Sequence, residues 1–280
     1  MTYKTINVLV DNNTHLEQRL SIAVKTAERF SAHLVGLHVV PPINYPTLAT
    51  ADLPADILAQ RYDSLQDAAA NLRQVFESHV ANSGLNYEWR QVNSVAGDLR
   101  SSVAEMGRYA DLNIITQTED DPTGMNDVDF AEPLLFHSGR PVLIIPYAGE
   151  YTAEPKKILA SWDASQPATR ALHDAIPMLQ QADEVCVLTV NPSDTIEGGG
   201  AFAGVDITNT LARHDINAEV KHIPGSTIPI ADMLLSTVAD YGFELLVMGG
   251  YGHSKLREWV FGGTTQDMLD RMTLPVMMSH

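Results

Sequence analysis

The sequence predicts an α/β protein of two tandem Rossmann-like domains, residues 1–150 and 151–280, each a five-stranded parallel sheet flanked by helices. Three observations carry that prediction. Short apolar strands alternate with helical patterns, the arrangement of βαβ units with right-handed crossovers. The apolar runs are continuous rather than alternating, as in strands covered on both faces. Landmarks of the first half also recur in the same order in the second.

The first half opens with Ile6 to Val10 ending at Asp11, and the second with Lys157 to Trp162 ending at Asp163. Each is an apolar strand closed by an aspartate. A helix follows each strand. Leu16, Leu20, Ala23, Val24 and Ala27 share one face of the first helix; Ala168, Ala171, Leu172, Ala175, Ile176 and Leu179 share one face of the second. Pro177 bends the end of the second helix. A second strand comes next, His33 to Val40 and Glu184 to Val190. Further on, Asp111 to Ile115 corresponds to Glu244 to Met248, and Arg140 to Ile145 to Leu274 to Met278. Tyr147 to Pro155 forms the linker. The rival reading is one long Rossmann-like sheet.

After the second strand the halves diverge. The first carries an insert from Pro41 to Leu85 with a helix over about Ala55 to Val80. The second carries the glycine-rich loop Glu197 to Gly204, then a brief helix over about Val205 to Arg213. Open α/β sheets bind ligands beside such a loop, at the switch point of the strand order.

The most informative stretch runs from Val247-Met248-Gly249-Gly250-Tyr251-Gly252-His253-Ser254 to Phe261-Gly262-Gly263-Thr264-Thr265. It starts where an apolar strand stops, and its glycines let a ligand approach the main chain. A helical pattern with Met268, Leu269 and Met272 on one face follows. A glycine-led turn into a helix N-terminus offers unpaired N–H groups and the positive end of the helix dipole, which together suit an anion. Thr264 or Thr265 caps this helix or donates a hydroxyl to phosphate. Lys255 and Arg257 add local positive charge. The spacing is neither a P-loop nor a dinucleotide fingerprint. Tight turns and a helix C-cap are the plain alternative.

Gly249-x2-Gly252-x9-Gly262 resembles the G-x2-G-x9-G-[S/T] nucleotide motif of ATP-binding universal stress proteins. The resemblance extends to Trp162-Asp163-Ala164-Ser165 and to Leu274-Pro275-Val276. It covers the second half, and only the strand and helix framework of the first. One departure is Gly263, which stands where the family commonly has Ser or Thr. The resemblance implies the adenine nucleotide alpha hydrolase-like fold and a stress-response protein that binds ATP, with or without magnesium. By it, Asp163 accepts from the adenine amine and Val190 offers its main chain to the adenine edge. Gly249 and Gly252 lie against ribose and phosphates, and Gly262, Gly263 and Thr264 hold phosphate oxygens. Asp163 has a structural alternative as a helix N-cap. His253 stands beside the phosphates or is an ordinary loop histidine.

In the same register the first half has Thr116 for Gly249, Glu119 for Gly252, and Val128, Asp129 and Phe130 for Gly262, Gly263 and Thr264. Glu119, Asp120, Asp121, Asp127 and Asp129 would repel a triphosphate. Each close pair costs roughly 1 kcal/mol or more, against a helix dipole worth about 0.3–1 kcal/mol. No ATP is expected there. The acidic cluster is a solvated loop or a divalent-cation site.

Composition limits the partners. A net charge of −17 repels nucleic acid and anionic lipid, so an anionic ligand needs a local site built from the main chain. No apolar run is long enough to span a membrane, and the N-terminal residues lack signal-peptide features. The single cysteine, Cys186, lies in an apolar run and points to a buried residue in a reducing compartment, hence the cytoplasm. No catalytic constellation or metal-ligand spacing stands out. Trp89, Trp162 and Trp259 are packing residues, with Trp162 the one next to the base site. Met272, Met277 and Met278 belong to the core or to a subunit contact. Three functions compete: an ATP-binding regulatory protein, a slow ATP hydrolase and a nucleotide-free dimerisation scaffold. By the resemblance, the halves pair internally with the Ile144 and Met277 strands side by side, and homodimerisation is left open.

Overall fold

The computed structural model describes residues 2–41, 55–94, 98–118, 129–190, 203–224, 227–250 and 263–280. Among these residues ten strands form one sheet. The first half contributes β1 (Thr5–Leu9), β2 (His33–Val40), β3 (Tyr87–Asn93), β4 (Leu112–Thr116) and β5 (Val142–Ile145). The second contributes β6 (Lys157–Ser161), β7 (Glu184–Val190), β8 (Ala218–Ile223), β9 (Leu245–Gly249) and β10 (Val276–Ser279). The order is β3-β2-β1-β4-β5-β10-β9-β6-β7-β8. All pairs within a half are parallel.

The halves meet through one antiparallel pair, β5 with β10, where Val276, Met277 and Met278 oppose Ile144, Leu143 and Val142. The internal pairing expected for the Ile144 and Met277 strands is thus present. The tandem reading and its rival each describe part of the molecule: there are two parallel half-sheets, and they are continuous. Because the joining pair is antiparallel, the carboxyl ends of the two half-sheets point in opposite directions.

Helices cover both faces. One face carries α1 (Leu16–Phe30), α2 (Ala55–Val80), α5 (Gln166–Asp174), α6 (Ile176–Leu179) and α7 (Ala203–Ala212), with a core including Ile6, Leu20, Phe76, Ile158, Ala171, Val187 and Met277. The other carries α3 (Leu99–Gly107), α4 (Ala131–His137), α8 (Ile230–Tyr241) and α9 (Gly263–Arg271), with Leu9, Leu134, Leu159, Leu188, Leu234, Met268 and Met278. Each core runs through both halves, so the continuous apolar strands are explained by cover on two sides.

Local expectations are met closely. The insert helix is α2. Pro177 does more than bend its helix: α5 stops at Asp174, and Pro177 sits in the first turn of the separate helix α6. Proline lacks an N–H and fits a first turn, where that donor is unpaired anyway. Cys186 is buried, and burial pushes its thiol pKa up to about 11. No helix among the described residues is long and apolar enough to cross a membrane.

Candidate functional site

In the second half β6 lies between β9 and β7. The chain leaves β6 toward β7 on one side and returns through β9 on the other, which makes the carboxyl ends of β6 and β9 the switch point. A cleft opens there. Ser161, Trp162, Asp163, Ser165 and Ala168 line it from β6 and the start of α5, Val190 from β7, and Met248 and Gly249 from β9. Ile230 and Leu234 of α8 and Thr264 and Thr265 of α9 complete the described wall. Five of the residues singled out from sequence, Asp163, Val190, Gly249, Thr264 and Thr265, therefore share one cleft. Gly263 opens α9 beside them. Gly252, His253 and Gly262 lie outside the described residues.

The turn after β6 is tightly specified. The Ser165 N–H donates to Asp163 Oδ1 at 2.9 Å, and the Ala168 N–H donates to Ser165 Oγ at 3.3 Å. Ser165, not Asp163, is the N-cap of α5. The exposed Asp163 uses one oxygen in this turn and has further lone pairs for a ligand. Between them Ala164 has φ 60°, a left-handed conformation that costs a residue with a Cβ roughly 1–2 kcal/mol. The two hydrogen bonds hold that strained residue at the rim. Trp162 is both a core residue and a lining residue, and its buried indole N–H finds no acceptor among the described residues.

Two glycines have opposite surroundings. A Cβ on Gly249 would sit 2.5 Å from Ala168 N and 2.7 Å from the Pro167 carbonyl carbon. Glycine is required there because the end of β9 packs against the first turn of α5, independently of any ligand. A Cβ on Gly263 would meet nothing within 4 Å among its neighbours. Helix α9 takes in Gly263, so Thr264 and Thr265 fall inside its first turn rather than before it. Thr265 is buried and Thr264 half-buried. This first turn carries the positive end of the helix dipole to the cleft.

Lining residues Ile230, Leu234 and Met248 were not anticipated as site residues. They provide an apolar wall opposite the polar turn after β6, a combination common in small-molecule clefts. Leu234 and Met248 are buried and Ile230 is exposed at the edge; in the sequence all three read as ordinary apolar positions.

The first half repeats the framework with different chemistry. The Asn13 N–H donates to Asp11 Oδ1 at 3.2 Å, as Ser165 does to Asp163. The Val10 N–H bonds Leu37 O at 2.7 Å, and the Trp162 N–H bonds Leu188 O at 2.9 Å. In that register Arg19 replaces Ala171 and its guanidinium pairs with Asp11. Thr116 stands at the position of Gly249, with its hydroxyl buried and unpartnered among the described residues. Of the acidic cluster, residues 119–128 lie outside the described residues; Asp129 accepts from the Ala131 N–H at 2.8 Å, at the start of α4. His38, at the end of β2, contacts Val10 O through Nδ1 at 2.7 Å and stacks on Trp89. Burial lowers its pKa below the usual histidine value.

Comparison with known proteins bears on this geometry. The universal stress protein family model matches residues 2–98 and 154–280. The chain belongs to that family. Its fold is similar to that of a universal stress protein from Archaeoglobus fulgidus DSM 4304, with a TM-score of 0.72 and 14% identity over 98% of this chain and 94% of that one. It is also similar to a functionally unknown protein from Pseudomonas aeruginosa PAO1, with a TM-score of 0.59 and 18% identity over 98% and 92%. No curated protein gives a significant match. The two matched segments make this a tandem universal stress protein, as its repeated half-sheets do.

Proposed function

We propose that this tandem universal stress protein is a stress-response regulator of the cytoplasm that binds ATP or a related adenine nucleotide in its C-terminal cleft. The observation that carries the reading is the convergence of Asp163, Val190, Gly249, Thr264 and Thr265 on one cleft at a switch point. A carboxylate and the main chain of Val190 suit the edge of an adenine base. The α9 N-terminus suits phosphate, and none of the described residues stands within 4 Å of a Cβ at Gly263 to keep it away. Magnesium, where present, would arrive with the triphosphate. A net charge of −17 directs the protein away from nucleic acid and anionic membranes.

Calorimetric titration with ATP, AMP and adenosine, together with mass spectrometry of any co-purified nucleotide, tests the reading. Asp163→Asn is the informative variant. It keeps an oxygen for the Ser165 N–H but presents an amide to the adenine amine, so affinity for all three ligands should drop. A wild-type protein that is nucleotide-free and gives no heat with millimolar ATP rejects the proposal. A turnover assay with Gly252→Glu as control separates regulatory binding from slow hydrolysis.

A further inference from the structure

Helix α9 touches both ends of the sheet. Its amino end borders the C-terminal cleft. Because β5 and β10 run antiparallel, its carboxyl end lies near the carboxyl end of the other half-sheet, at Thr116. There Gln117, the residue after β4, is buried. Its side-chain amide donates to Leu269 O at 2.6 Å and to Asp270 O at 3.3 Å. Its Oε1 accepts from the Tyr147 N–H at 3.3 Å, and its own main-chain N–H donates to Ile145 O at 2.7 Å. The last four carbonyls of a helix have no partner within the helix. Gln117 satisfies two of them and is itself fixed on both sides. The same helix end is tied sideways, Arg271 Nη1 to Asp232 Oδ1 at 2.6 Å, to α8, which lines the cleft.

We propose that Gln117 is a positioning residue for the phosphate end of the C-terminal nucleotide site. The N-terminal half uses it to hold α9 at the axial height where the amino end of the helix, with the positive end of its dipole, meets the polyphosphate. This rests on the adenine-nucleotide reading. From Leu269 back to Thr264 is about 7.5 Å of helix at roughly 1.5 Å per residue, too short to absorb an axial displacement by bending. A shift at the capped end is therefore transmitted to the phosphate end. The support is one-sided. The repeat places Gly250 at the position of Gln117, and glycine has no side chain with which to cap α4 in return. The half without the glycine motif thus steadies the half that has it.

The test compares Gln117→Met with wild type, titrated with ATP and with adenosine. Methionine keeps the length and apolar volume and removes the donor. Adenosine uses the base contacts at Asp163 and Val190 but has no phosphate. The variant should lose about tenfold in ATP affinity, roughly one decade of binding constant, and keep its adenosine affinity. An unchanged ATP affinity, or an equal fall for both ligands, overturns the inference. A wild-type chain that binds neither ligand instead removes the nucleotide reading beneath it. If Gln117→Met does not fold, hydrogen exchange on wild type decides. ATP, and not adenosine, should slow exchange across residues 113–118 in the other half, and no difference between the ligands overturns the proposal.

Discussion

Arg19 and Asp11 form an ion pair at the carboxyl end of β1, Nη2 to Oδ1 at 2.5 Å, with the arginine side chain 1% exposed and the carboxylate 31% exposed. Arg19 comes from α1, and its Nε has no acceptor among the described residues. The second half has Ala171 and Asp163 at these positions, which leaves Asp163 without a cation partner among the described residues and lining the cleft. The repeat has thus turned one aspartate inward to a guanidinium and left the other outward.

The pair's asymmetry in burial has a consequence. Asp11→Ala leaves a guanidinium uncompensated in the core, so it should cost about 3–5 kcal/mol. Arg19→Met leaves a carboxylate that can still reach water and should cost clearly less. The double variant Asp11→Asn/Arg19→Met should be more stable than Asp11→Ala alone. Urea denaturation midpoints of the three proteins check this ordering.

The two glycines of the cleft separate packing from binding. Gly249→Ala drives a Cβ into the backbone of Pro167 and Ala168. Overpacking of this kind costs about 1–3 kcal/mol, so the melting temperature should fall even without ligand. Gly263→Ala meets none of the described residues within 4 Å and gains helix propensity, so stability should hold or rise slightly. A loss of ATP affinity in Gly263→Ala with an unchanged melting curve locates phosphate at α9. Equal affinity removes Gly263 from the site.

Asp174 provides a pH test. It lies at the end of α5, and its Oδ2 accepts from Ser279 Oγ at 2.8 Å. Burial raises its pKa above the usual carboxylate value. The native state therefore holds this proton more tightly than the unfolded chain, so stability from it is present at low pH. That stability is lost as pH rises from the unfolded value near 3.9 through the raised native value. Asp174→Asn should thus be more stable than wild type at neutral pH, and the advantage should vanish below about pH 4. Melting temperatures across that range decide the matter.

Cys186 should be inert in the folded protein. With a thiol pKa pushed up to about 11 and a buried side chain, it offers almost no thiolate at pH 8. Ellman's reagent should react with one thiol per chain in urea and with none in buffer over the same time. Rapid labelling in buffer would show that β7 opens on that timescale.

Sequence alone determined the repeat, the strand-helix alternation and the cleft residues that announce themselves chemically: an aspartate after β6, a glycine ending β9, and threonines in the first turn of α9. These are legible because strand ends, glycines and helix starts are local, set by neighbours in the chain. The apolar wall of Ile230, Leu234 and Met248 was hidden, since an apolar residue facing a ligand shares its periodicity with one facing the core. The antiparallel β5–β10 pair was foreseen only through family resemblance. What tertiary structure alone decided is long-range: Arg19 meeting Asp11, Gly249 needed by the start of α5, and Gln117 capping a helix 152 positions away. Such contacts depend on how strands pair and helices dock, and a chain's local chemistry does not encode which distant neighbour each side chain will find.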